Sequence, residues 1–149
     1  MAKTWILVAN GSEARLFRST SHITDIELVD SFTHAESRMK GSELASDRPG
    51  HFMGDSGNGA AHGAFNEPVD PKEYEKERFA INLAKTLDSA RATNQYNNLI
   101  VVAPAQFRGM LNKHLSKHCS QLVSKQLDKD YTSVRELDMS ETLRGQLGP

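Results

Sequence analysis

The chain has 149 residues, 38% of them apolar and 25% charged, a composition that excludes a disordered chain and fits one globular domain with one core. Lys and Arg number 18 against 19 Asp and Glu, a formal net charge of −1, so no global field draws the molecule to nucleic acid or lipid, and any anion site must be a local patch. The only cysteine, Cys119, excludes an internal disulfide and fits a reducing, cytoplasmic setting.

Met1 to Asn10 carries one lysine and a short apolar run, without the apolar length or cleavage site of a signal peptide. Nothing in the chain approaches the ~20 apolar residues of a membrane span. Trp5-Ile6-Leu7-Val8-Ala9 is continuously apolar, as a strand buried on both faces reads, and Asn10-Gly11 after it is a hairpin signal. A second strand follows from Glu13 to Arg18, with Ala14 and Leu16 on one face and Arg15 and Phe17 on the other. Alternation over 23–32 predicts a third, with Ile26, Leu28, Asp30 and Phe32 sharing a face. The first third is therefore an antiparallel meander.

From about Thr33 to Asp70 no apolar period is sustained, and glycines punctuate residues 41–70. A stretch of this length is either a plain surface loop or a binding loop. Pro71 then suits the first turn of a helix over 71–95, with Glu73, Glu75 and Glu77 near its positive end and Phe79, Leu83 and Leu87 as its core stripe. Leu99 to Ala103 reads as a second fully buried strand, over 98–103. Pro104 opens a helix over 104–118 whose stripe is Phe107, Leu111 and Leu115. An edge-like strand is expected over 122–128. Ser133-x-x-Glu136 has capping-box form, predicting a last helix over 133–144. A meander feeding crossover helices gives an α/β fold, a mixed five-stranded sheet with helices on its faces, in a single domain over 1–149.

Four segments together resemble the host attachment protein family. They are Trp5 to Gly11 with Ala14-Arg15-Leu16-Phe17; Ser46-Asp47-Arg48-Pro49-Gly50; Leu99 to Pro104 with the helix after it; and Lys129-Asp130-Tyr131-Thr132. The resemblance covers roughly residues 3–143. It implies a ribonuclease-H-like topology similar to the middle domain of class I release factors, and a link to attachment of bacteria to host cells or to ribosomes. In a release factor the loop before the long helix carries Gly-Gly-Gln; here residues 41–66 contain no glutamine. Peptidyl-tRNA hydrolysis is therefore not carried over. The expectation is a non-enzymatic binding module for ribosome or RNA. The alternatives are an adhesion-related or regulatory protein-binding protein, and a hydrolase using the long loop.

Other chemistry is thinly represented. A two-metal nuclease of this topology needs a carboxylate on the first strand, and Trp5 to Ala9 offers none, so no metal or cofactor is expected. His114 and His118 have chelating spacing but no third ligand, and read as solvated histidines. Ser and His in the long loop lack nucleophile-elbow spacing. Between Ala105 and Leu127 the chain has Arg108, Lys113, Lys117 and Lys125 and no acid, with Lys113 and Lys117 on one face of the expected helix. That face either meets phosphates or is simply solvated. Asp47-Arg48-Pro49-Gly50 combines a turn-forming Asp, a fixed φ and a permissive Gly, presenting Arg48 as a fork for an oxyanion or for a structural salt bridge. The candidate binding residues are thus Asp47, Arg48, Pro49, Gly50, Arg108, Lys113 and Lys117, with Lys129 from the fourth resembling segment.

Overall fold

The computed structural model describes residues 3–19, 26–34 and 71–147. The strands are β1 (Thr4–Ala9), β2 (Glu13–Ser19), β3 (Ile26–Thr33), β4 (Asn98–Val102) and β5 (Val123–Leu127), and the helices are α1 (Pro71–Ala92), α2 (Ala105–His114), α3 (Lys117–Gln121) and α4 (Glu136–Leu147). The five strands form one mixed sheet in the order β3-β2-β1-β4-β5. β1 pairs antiparallel with β2, β2 antiparallel with β3, and β1, β4 and β5 are parallel. β2 alone opposes the rest, so the carboxyl ends of four strands share one edge.

Each face of the sheet has its own core. On one, α1, α2 and α3 pack Phe79, Leu83, Leu87, Phe107, Leu111 and Cys119 against Trp5, Leu7, Leu16, Leu99 and Val101. On the other, Met139 and Leu143 of α4 cover Ile6, Val8, Phe17, Ile100 and Val102. β1 and β4 supply residues to both, which is why each reads as an unbroken apolar run. Each such fully buried side chain contributes roughly 1.5–3 kcal/mol of transfer free energy.

Three local expectations are corrected. The shared face of Ile26, Leu28 and Phe32 does not form: the β2–β3 register shifts between Leu16 and Phe17, so Leu16 faces Asp30 while Phe17 faces Leu28. Val29 is the extra residue, the alternation flips across it, and Phe32 joins the α1 face while Ile26 and Leu28 stay on the α4 face. The helix expected over 104–118 is two. Leu115 turns to extended backbone, and Ser116 caps α3 by accepting the Cys119 N–H at 3.0 Å while donating to Asp88 at 2.7 Å. Hydrogen bonds from Ser116 and then Arg91 hold the Asp88 carboxyl below its usual range. Finally, the last helix begins at Glu136 rather than Ser133, so that pair forms no capping box.

α1 ends in a Schellman arrangement. Asn94 adopts φ 61°, the Gln95 N–H reaches the Ala90 carbonyl and the Asn94 N–H the Arg91 carbonyl. Asparagine serves here where glycine is commoner, because its short polar side chain tolerates the left-handed region.

Candidate functional site

The carboxyl edge of the sheet gathers the polar chemistry. At its centre, β1 turns into β2 through Asn10, Gly11 and Ser12. Asn10 accepts the Ser12 and Glu13 N–H groups, both at 2.9 Å, through Oδ1, and donates through Nδ2 to Asp130 and Thr132, both at 3.1 Å. One side chain thereby closes the hairpin and joins it to the segment after β5. Asp130 accepts the Thr132 N–H at 3.0 Å and its hydroxyl at 2.6 Å. Burial alone would raise the Asp130 carboxyl, but hydrogen bonds from Thr132 and Asn10 outweigh it and hold the group below its usual range.

Arg15 completes this corner. Its Nη2 donates to the carbonyls of Tyr131, Thr132 and Val134, fixing the approach to α4. Gly11 lies against α1: a Cβ there would lie 2.9 Å from Lys76 Cγ, so a larger residue would push the Lys76 side chain aside. The first turn of α2 is tied to the same edge, with the Ala105 N–H donating to Asp128 at 2.9 Å. Gln106 reaches Glu73 of α1 at 3.4 Å.

β3 and α1 meet through a buried carboxylate. Glu75 is 2% exposed, lies 2.8 Å from His34 Nε2, and accepts from Arg78 Nη1 at 3.2 and 3.3 Å. The His34 ring stacks on Phe79 with centroids 5.6 Å apart. Residues 34 and 71, which bound the segment 35–70, therefore stand on the carboxyl edge together. Sequence reasoning missed His34 and Arg78, and took Glu75 only as a charge near a helix end. The signal was present: Glu75 stands at the next i−4 position of the Phe79-Leu83-Leu87 stripe, where an acid must be buried and paired.

The predicted binding residues are dispersed. Asp47, Arg48, Pro49 and Gly50 lie outside the described residues. Arg108 is half-buried on α2, and Lys129 is exposed beside Asp130. Lys113 ends in α2 and Lys117 opens α3, so no continuous helix face carries both. Lys113 is also engaged, donating to Glu77 at 3.2 Å, with His114 Nε2 2.8 Å from the same oxygen. His114 is thus half-buried against a carboxylate rather than freely solvated, while His118 is exposed. Hydrogen bonds from His114, then Lys113, hold Glu77 below its usual range. Among the described residues no three His, Cys, Asp or Glu side chains are grouped to hold a metal ion, and no helix is long and apolar enough to cross a membrane.

Comparison with known proteins gives a family and a fold. A family model described as "Protein required for attachment to host cells" matches residues 5–143. No curated protein matches. Among solved structures, the chain is similar to an archaeal translation termination factor, aRF1, at 8% identity and a TM-score of 0.50, over 97% of this chain and 39% of that one. A second structure, titled only as an archaeal protein, matches at 8% identity and a TM-score of 0.44, over 96% of this chain and 36% of its own. The chain therefore spans about two fifths of the length of the solved structures it matches.

Proposed function

Because the chain belongs to the family of proteins required for attachment to host cells, we propose that it is a binding module that meets its partner at the carboxyl edge of its sheet, and that the partner is the ribosome or another structured RNA. The observation that carries this reading is convergence. Asn10, Arg15, Asp130 and Thr132, from the first and fourth segments that resemble the family, are hydrogen-bonded to one another or to one another's backbone. They stand on the edge that also holds His34 and the start of α1, between which lies the segment bearing Arg48. Support for the partner comes from fold likeness to a translation termination factor and from the exposed Lys129, which follows β5 at that edge; Lys117, at the start of α3, stands at the opposite edge beside the start of β5. The absence of glutamine from residues 41–66 argues for binding without peptidyl-tRNA hydrolysis. A protein partner involved in attachment is the second reading, favoured by the family's own description.

Co-sedimentation with ribosomes across a salt series separates the two. The RNA reading expects association that weakens steeply with salt, because phosphate contacts release counterions. Arg48→Ala should weaken it while leaving thermal unfolding unchanged, and Lys129→Glu should weaken it and flatten its salt dependence. Lys113 is the wrong residue for this test, since reversing its charge would also disturb the α1–α2 contact at Glu77. No sedimentation at low salt, or sedimentation indifferent to both changes, would reject the RNA reading in favour of the protein partner.

A further inference from the structure

The opposite, amino edge of the parallel strands carries a feature that does not depend on the reading above. A cleft of about 280 Å³ opens between the start of β1, the adjoining ends of β2 and β3, and the residues after α1, with Lys3, Trp5, Arg18, Glu27 and Gln95 in its lining. Trp5, Arg18 and Glu27 are successive cross-strand partners on β1, β2 and β3, so their side chains stand in a row on the α1 face of the sheet.

The apolar part of this row is rigid. Trp5 is stacked on Tyr96 with ring centroids 5.0 Å apart, and the Tyr96 hydroxyl donates to the Leu87 carbonyl at 2.7 Å and lies 3.0 Å from Cys119 Sγ. Burial pushes both the Tyr96 hydroxyl and the Cys119 thiol up, so neither ionises to loosen this wall. The polar part is open. Arg18 gives Glu27 only its Nε, the two side chains are 59% and 63% exposed, and among the described residues no group accepts from its two terminal nitrogens. Lys3 Nζ is held beside the cleft by the Asn94 carbonyl. Among the described residues, two cations against one carboxylate make the lining net positive.

We propose that this cleft binds a small oxyanion carried on a flat apolar group, the anion taken by the terminal nitrogens of Arg18 and the ring placed against the Trp5 indole. A planar guanidinium that presents its two terminal NH2 groups side by side matches a carboxylate or phosphate in geometry as well as charge. The fixed aromatic wall selects for an attached ring over a bare anion. Two sources share this chemistry: a nucleoside monophosphate and an aromatic carboxylate.

Trp5 is the only tryptophan in the chain, so a single indole N–H resonance reports on the cleft. The full chain is titrated with adenosine 5′-monophosphate, benzoate and inorganic phosphate, following that resonance. The expected result is a saturable shift with one of the ring-bearing anions at lower concentration than with inorganic phosphate, and the tighter of the two identifies the source. Arg18→Gln should weaken binding by about tenfold, the loss of one charge-assisted hydrogen bond. Glu27→Gln should tighten it by releasing the rest of the guanidinium. Both changes are at exposed side chains, and circular dichroism verifies that the variants are folded. Absence of a saturable shift, a response to inorganic phosphate equal to that of the ring-bearing anions, or affinity unchanged in Arg18→Gln would each overturn the proposal.

Discussion

The contact of α1 with β3 and its contact with α2 use the same chemistry with different weight. Glu75 meets His34 at 2.8 Å and Arg78 at 3.2 Å; Glu77, two residues on, meets His114 at 2.8 Å and Lys113 at 3.2 Å. Helical phase separates them. Glu75 continues the core stripe and its side chain is 2% exposed, whereas Glu77 is rotated away and 35% exposed. A carboxylate withdrawn from water must keep its partners, because leaving either side unpaired costs the full desolvation penalty. One facing water exchanges its partners for solvent at little cost. A histidine–carboxylate distance by itself therefore says nothing about energetic weight; burial does.

The largest expected effect follows directly. Glu75→Ala should destabilise the fold by about 2–4 kcal/mol, by the cost of breaking a buried pair discounted for the exposed Arg78, as measured by urea unfolding. Glu75→Gln should cost less, since an amide still hydrogen-bonds His34. Equal losses for Glu75→Ala and Glu77→Ala would break the comparison.

Next comes Asn10→Ala, which removes the acceptor for two backbone N–H groups and the donor to Asp130 and Thr132. A loss of about 1–3 kcal/mol is expected for a part-buried polar junction of this kind, and a loss under a few tenths would mean the junction adds nothing. Asp130 sharpens the same point through pH. Its carboxyl is depressed in the folded state, so its stabilisation is complete above the ordinary Asp value of about 3.9 and disappears as pH falls through the depressed value. Unfolding followed from about pH 5 downward should therefore show a shallower decline for Asp130→Asn than for the unmodified chain. The smallest effect is expected for Glu77→Gln: a slight loss at low salt that vanishes when exposed charges are screened.

Much of the fold was legible because its signals are local. The unbroken apolar runs of β1 and β4 announced strands buried on both faces, and the i, i+4 spacing of Phe79, Leu83 and Leu87 announced the buried face of α1. The break between α2 and α3 had a local signal too, since Ser116 is a good N-cap, but the apolar step from Leu111 to Leu115 masked it. Of the carboxyl-edge residues, Asn10 and Arg15 were visible as members of one resembling segment and Asp130 and Thr132 as members of another. Their meeting was not, because the hydrogen bonds that join them span more than a hundred residues of sequence.

By itself, then, the sequence determined the element types, the antiparallel meander and the two-sided burial of the central strands, which follow from residue periodicities of two and 3.6, while the family was carried by the resemblance of four short segments. Only the tertiary structure decided three things. The shift at Val29 sends Phe32 to one core and Leu28 to the other, since strand parity depends on a partner strand's register. Glu75 becomes a buried junction rather than a helix-end charge, since that requires His34 to arrive from 41 residues away. And the row of Trp5, Arg18 and Glu27 forms a cleft, since three strands must align before residues so ordinary in sequence face one another across a sheet.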